Sequence, residues 1–210
     1  MKVVAINGSP RKEGNTALAL GAMGEVFKSE GIELEIIHIG AQAIHGCMGC
    51  GACGRNRNGK CIVAGDAVNE AVQKMSAADG IVLGSPVYYA GIAGTMKCFL
   101  DRAFYVAGAN GGLFAGKVGT AVVSARRSGT TPTFAGLNYY LTIANMFVAG
   151  SGYWNNVHGA GEGEAAYDGE GVQTVRNAAR NMAWFLKMRE AGREVPTPEY
   201  DYGAHTNFIR

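Results

Sequence analysis

Residues 2–16 read Lys2-Val3-Val4-Ala5-Ile6-Asn7-Gly8-Ser9-Pro10-Arg11-Lys12-Glu13-Gly14-Asn15-Thr16, and the fold is decided there. The short apolar run 2–7 ends at a glycine, the pattern of a strand buried on both faces of a parallel sheet. A helix is predicted from about residue 15 to residue 29, so strand, glycine turn and helix come in the order that opens a doubly wound unit. The turn offers hydroxyls, an amide and backbone N–H groups at a helix N-terminus, an arrangement that holds a phosphate. It is not a Walker A loop, because Gly14 is followed by Asn15-Thr16 and not by Lys-Ser/Thr. A monophosphate bound without a metal ion suits it, with Ser9, Arg11, Lys12, Gly14, Asn15 and Thr16 as the residues around it. The plain alternative is a glycine turn that caps a helix.

Working outward, residues 33–39 read as a second strand, after which a cysteine-rich segment, 44–65, interrupts the alternation. Asp66 is placed to N-cap a helix running to residue 78. Further strands are predicted at 80–83, 117–123 and 146–148, and further helices at 94–107, 133–145 and 171–190. The last helix is expected to carry Trp184 and Phe185 on its apolar side. Five strands alternating with helices imply an α/β fold, a doubly wound five-stranded parallel sheet with helices on both faces, since the crossovers are right-handed. One domain, 1–191, is expected, followed by an extended tail, 192–210, that contains Pro196 and Pro198. No internal repeat is present.

The 19 basic and 17 acidic residues give a formal charge of +2 and no basic stripe, so small-molecule partners are favoured over nucleic acid. The 32 glycines follow no fixed period and mark tight turns. The first thirty residues lack the pattern of a signal peptide, and no apolar run approaches the roughly 18 residues of a membrane span. A cytoplasmic protein with reduced thiols and no membrane partner is expected.

Residues 47–61 read C-M-G-C-G-A-C-G-R-N-R-N-G-K-C and hold Cys47, Cys50, Cys53 and Cys61, four of the five cysteines. Overlapping C-x2-C spacings let three thiolates converge on one inorganic core, and a fourth ligand shortly after closes it, as in compact iron–sulfur sites. A structural zinc ion and unligated thiols are the alternatives, although zinc sites more often separate two C-x2-C pairs widely. Cys98, between Lys97 and Phe99, reads as a packed helix residue.

Ligands of a doubly wound sheet bind outside the carboxyl ends of its strands. After the third strand, Ser85-Pro86-Val87-Tyr88-Tyr89-Ala90-Gly91 forms a stiffened turn with two aromatics at its rim, fit to hold a planar ring through Pro86, Val87, Tyr88 and Tyr89. After the fourth, Ser124, Arg126, Arg127 and Gly129 supply donors and charge for a third wall, with either arginine equally able to be merely solvated. Asp101 and Arg102 are expected to pair and fix their helix. His38, His45, His158 and His205 lie beside no acid at a recognisable spacing, and no Ser/His/Asp order or nucleophile elbow appears, so any chemistry belongs to a cofactor.

The segments Gly8-Ser9-Pro10-Arg11 with Gly14-Asn15-Thr16, Ser85-Pro86-Val87-Tyr88, and Lys97 with Asp101-Arg102 together resemble the NADPH-dependent FMN reductase-like family of the flavodoxin-like fold. With the four clustered cysteines and Tyr153-Trp154-Asn155, the chain is similar to the iron–sulfur flavoproteins of that group. The resemblance implies strand order 2-1-3-4-5 and FMN in the three-loop pocket. It also implies a [4Fe-4S] cluster on Cys47, Cys50, Cys53 and Cys61, and a homodimer or homotetramer with the flavin at a subunit boundary, where Tyr200-Asp201-Tyr202 of the tail would also pack. The expected function is that of an FMN-dependent oxidoreductase passing electrons between cluster, FMN and a small-molecule or protein donor or acceptor. A cluster-free NAD(P)H-dependent FMN or quinone reductase is a second reading. A third, of another class, is a non-catalytic redox carrier or sensor. The absence of a G-x-G-x-x-G fingerprint after a strand leaves the first and third readings hard to separate.

Overall fold

The computed structural model describes residues 1–201, 203, 204 and 206. Tyr202 and His205 lie outside the described residues. In chain order the elements are β1 (Lys2–Asn7), α1 (Asn15–Ser29), β2 (Glu33–His38), α2 (Ala52–Asn56), α3 (Val68–Ala77), β3 (Gly80–Tyr88), β4 (Gly91–Ile92), α4 (Gly94–Ala109), β5 (Val118–Ala125), α5 (Thr130–Ile143), β6 (Phe147–Val148), β7 (Asn156–His158), a 3-10 turn (Glu164–Tyr167) and α6 (Gly169–Ala191).

Alternation along the central strands divides the interior into two layers. Val4, Ile6, Ile81, Leu83, Ala121 and Val123 face α3, α4 and α5, where Met75, Met96, Phe99 and Leu137 pack on them. Val3, Ala5, Val82, Val118 and Val122 face α1 and α6, meeting Leu20, Phe27, Val175 and Met182. Covered on both faces, β5 is buried at every position. The parallel strands run in the order β2-β1-β3-β5-β6. This is the expected 2-1-3-4-5 once β4, an antiparallel hairpin partner of β3, is set aside.

The last position of the sheet is divided. β6 pairs with Val118 and Gly119 at one end of β5, and β7 pairs with Val123 to Ala125 at the other. Between them side chains supplement the strand ladder. Thr120 Oγ1 donates to the Ala149 carbonyl at 2.8 Å, and Asn155 Nδ2 donates to Thr120 Oγ1 at 3.0 Å and to the Ala121 carbonyl at 2.9 Å.

Several expectations need correction. The third strand continues to Tyr88, because β5 and then β4 pair with it past Leu83. The helix expected from residue 133 starts at Thr130, with Gly129 before it at φ 88°. Pro132 in its first turn is tolerated because that N–H has no intrahelical acceptor. Ala67 holds the cap position of α3, while Asp66, one residue earlier, accepts the Val68 N–H at 3.1 Å. Trp184 is 60% exposed, and Phe185 packs partly buried instead. Asp101 and Arg102 do not pair, because neighbours on a helix point about 100° apart. Asp101 binds Lys97 at 2.6 Å and accepts the Tyr140 hydroxyl, whereas Arg102 pairs with Asp66.

The turn after β1 lies against neighbouring backbone. The Gly8 N–H donates to the Gly84 carbonyl at 2.8 Å. A Cβ on Gly8 would stand 2.6 Å from Met96 Cβ, and one on Gly40 would stand 2.1 Å from the Ser9 carbonyl oxygen. No helix among the described residues is long and apolar enough to cross a membrane. Gly40→Ala should therefore destabilise the protein by about 3 kcal/mol. Gly21→Ala, in open space on α1, should stabilise it by about 0.5–1 kcal/mol. Urea unfolding midpoints of the two variants check both signs.

Candidate functional site

Three loops meet at the carboxyl edge of the sheet. The first curls on its own side chains: the Ser9 N–H donates to Asn7 Oδ1 at 3.0 Å, and the Arg11 N–H donates to Ser9 Oγ at 3.2 Å. Gly14 precedes α1 without a side-chain cap, so the N–H groups of the first turn remain available to an anion. Arg11 and Lys12 are exposed beside them. Thr16 is buried, and its hydroxyl shares a hydrogen bond with Ser124 Oγ at 2.8 Å that ties this loop to the end of β5.

Asn15 turns away from that cradle. Its Nδ2 donates to the carbonyls of Gly159 and Gly161 at 3.0 and 2.9 Å, and its Oδ1 accepts the Ala165 N–H at 3.1 Å. What Asn15 offers an anion is thus its backbone N–H, while its side chain fixes the segment after β7. That segment is a fourth piece of the edge that the sequence reading missed. The Gly159 N–H donates to the Ala125 carbonyl at 3.0 Å, and the His158 N–H donates to Asp168 Oδ2 at 2.7 Å. Asp168 also caps α6 through the Gly171 N–H. Partial burial opposes ionisation of Asp168, but the donors of Gly171 and His158 outweigh it and hold the carboxyl below the usual carboxylate range. An Asp three residues before Gly171, at the head of a long helix, was the available signal.

The second loop is a hairpin in which Val87 pairs with Ile92 and Tyr88 with Gly91. Pro86, Val87 and Tyr88 are therefore strand residues, and Tyr89 is the tip, 97% exposed at φ 54°. Buried Ser85 steadies the base, its hydroxyl donating to the Pro86 carbonyl at 2.8 Å and accepting the Ala93 N–H at 3.1 Å. The third loop packs on this hairpin at Gly129, where a Cβ would come within 2.8 Å of Val87 Cγ1. Arg126 and Arg127 are exposed, and neither forms an ion pair among the described residues. The edge thus sets the uncapped N–H groups of α1 beside an aromatic hairpin and two exposed arginines that form no ion pair among the described residues.

A second group of candidate residues lies against α4. Cys47, Cys50, Cys53 and Cys61 line one cavity together with Arg102 and Tyr105. All four are free thiols, with Cys47 and Cys50 exposed, Cys53 buried and Cys61 half-buried. Gly49 and Gly51, at φ 64° and 66°, let the chain reverse around them. Cys61 is clamped by Asn69 of α3, which accepts its N–H at 2.7 Å and donates to its carbonyl at 3.0 Å. Asn110 accepts the Gly59 N–H at 2.9 Å. No three Cys, His, Asp or Glu side chains among the described residues close on a point as a single metal ion requires. Cys98 is half-buried, its sulfur facing Gly46. The supporting roles of Asn69 and Asn110 left no mark in the sequence, whereas Arg102 inside the apolar spacing of Phe99, Leu100 and Ala103 did.

A family model described as NADPH-dependent FMN reductase matches residues 1–161. The chain is 35% identical over 195 residues to an iron–sulfur flavoprotein of Methanocaldococcus jannaschii, covering 90% of this chain and 98% of that one. It is 33% identical over 198 residues to an iron–sulfur flavoprotein of Methanosarcina thermophila, covering 92% and 100%. A solved flavodoxin from the domain Archaea matches with a TM-score of 0.58 at 17% identity, covering 89% of this chain and 99% of that one, a likeness of fold.

Asn15→Ala leaves two carbonyls and one N–H without partners and should cost about 1–3 kcal/mol, read as a lower thermal midpoint. Because the Asp168 carboxyl is depressed in the folded state, its contribution is complete above the ordinary value of about 3.9 and is lost as pH falls through the folded value. Asp168→Asn should therefore flatten the acid limb of a stability–pH curve while lowering stability near neutrality.

Proposed function

Because the chain belongs to the NADPH-dependent FMN reductase family, we propose that it is an FMN-dependent oxidoreductase that passes electrons between a [4Fe-4S] cluster, FMN and a small-molecule or protein partner. The observation that carries this reading is the convergence of Cys47, Cys50, Cys53 and Cys61 on one cavity with no disulfide among them. Three overlapping C-x2-C cysteines with a fourth close behind suit a compact multi-iron core better than a zinc ion, whose sites more often separate two C-x2-C pairs widely. The iron–sulfur flavoproteins among the relatives support the same choice.

When bound, the flavin would supply two-electron chemistry and the cluster one-electron chemistry. The protein's part is to bind and orient. The first-turn N–H groups of α1, with Ser9, Arg11 and Lys12, would hold the phosphate. Pro86 and Val87, fixed in β3, would present backbone to the edge of the ring, and Tyr88 and Tyr89 would cover its rim. Ser124, Arg126, Arg127 and Gly129 would close the other side, anchored through Thr16. The freedom of Arg126 and Arg127 from ion pairs favours, as a second reading, direct use of NADPH, whose extra phosphate they would meet.

We read a homodimer or homotetramer as the assembled form, since Tyr139, Ile143, Phe147 and Val148 leave an exposed apolar face along α5 and β6. Nearby, Tyr200 of the tail lines a groove of about 960 Å³ between the C-terminal ends of α4 and α5.

Anaerobic purification followed by iron, sulfide and FMN analysis tests the main reading. One FMN and about four irons per chain are expected, and iron should disappear from Cys50→Ser. Flavin without iron would eliminate the cluster. Stopped-flow mixing with NADPH should bleach bound FMN if the second reading holds, and an unbleached flavin rejects it. Truncation after Gly192 should shift the elution position in sizing experiments, and an unchanged position would sink the role of the tail.

A further inference from the structure

Arg102 is 1% exposed, its side chain entirely out of solvent. Removing a guanidinium from water costs several kcal/mol unless its charge and donors are compensated. Here the compensation comes from the segment that carries or follows the cysteines. Nε donates to Cys61 Sγ at 3.4 Å, Nη1 to the His45 carbonyl at 3.3 Å and to the Asp66 carboxylate, and Nη2 to the Val63 carbonyl at 2.7 Å. Burial works against the charge, yet Asp66 and Cys61 more than offset it and raise the hold on the proton above the ordinary arginine value. A residue needed only to fill this space would be apolar, as Phe99, Ala103 and Val106 beside it are.

We propose that Arg102 is a positioning residue whose N–H···S contact to Cys61, balanced by the Asp66 carboxylate, sets the reduction potential of the group held by the four cysteines. The proposal rests on the cluster reading above. Reduction adds negative charge to a thiolate-ligated core, so a donor and a cation beside one sulfur stabilise the reduced form and raise its potential. Asp66 opposes that effect from the other side of the guanidinium. Asn69 holds the Cys61 backbone independently of Arg102. Asp66 Oδ1, which accepts the Val68 N–H at 3.1 Å and Arg102 Nη2 at 3.3 Å, has a counterpart in asparagine, whereas the Oδ2 contact with Nη1 is lost together with the charge.

The experiment uses the anaerobically purified holoprotein, with iron counted per chain and a redox titration followed by electron paramagnetic resonance. Arg102→Lys keeps the charge but cannot span sulfur, carboxylate and two carbonyls at once, so the midpoint should move to lower potential. Asp66→Asn removes the opposing anion, so the midpoint should move to higher potential. Opposite shifts support the proposal. Loss of iron in both variants with an unmoved midpoint in the clusters that remain would show a structural role alone and overturn it. Should neither variant fold, otherwise wild-type protein carrying Arg55→Lys, whose guanidinium donates to the Cys50 carbonyl, and labelled with 15N only in arginine should still show a nitrogen coupling to the reduced cluster, and its absence overturns the proposal. If the wild type binds no iron, the cluster reading fails first. The proposal then falls with it, a result told apart from iron-loaded variants whose midpoints do not move.

Discussion

The carboxyl edge depends on backbone packed against backbone. Gly8, Gly40 and Gly84 bring the turn after β1 against β3 and against the chain leaving β2, with Ser9 so close to Gly40 that no side chain fits between them. Held there, the turn delivers α1 with its N-terminal N–H groups uncovered and sets Thr16 beside Ser124. The hairpin and the third loop are then located by Ser85 and by the contact of Gly129 with Val87. Each later wall is referenced to the one before, so a small displacement of the first turn would propagate through all of them.

The polar side chains at this edge serve mainly as joints. Ser9, Asn15, Thr16, Ser85 and Ser124 are all buried, and their hydrogen bonds run largely to other parts of the protein. Hydroxyls and amides in a glycine-rich turn look like ligand contacts in a sequence, yet here most of them satisfy neighbouring backbone, as buried polar groups must. Local polarity suggests that a group bonds to something without saying to what.

That limit explains what was legible. The apolar runs at 2–7, 80–83 and 117–123 and the helical spacing of Met96, Phe99, Leu100 and Ala103 report burial directly, so the sheet and its helices could be read along with the cysteine cluster. β4 and β7 are two and three residues long, too short for periodicity to register, and exist because β3 and β5 offer them a ladder. The pairing of Arg102 with Asp66, 36 residues away, is likewise a tertiary fact. Helical geometry alone, however, argues against pairing Asp101 with its neighbour. Asn69 within α3 and Asn110 just past the end of α4 support the cysteine segment, and nothing in their surroundings in the sequence distinguishes them from surface amides.

The divided last strand bears on how the protein behaves in a crowded solution. An uninterrupted outer strand presents a row of unpaired N–H and C=O groups on which another chain can polymerise. Here that row is cut into pieces of two and three residues, and Thr120 and Asn155 engage part of the backbone between them. At the opposite border, β2 carries Glu33 and Glu35 in ion pairs with Lys2 and Lys74. Both borders are poor templates for fibre growth, so copies of this chain can be concentrated, and can meet through side-chain faces, with little tendency to extend one another's sheets.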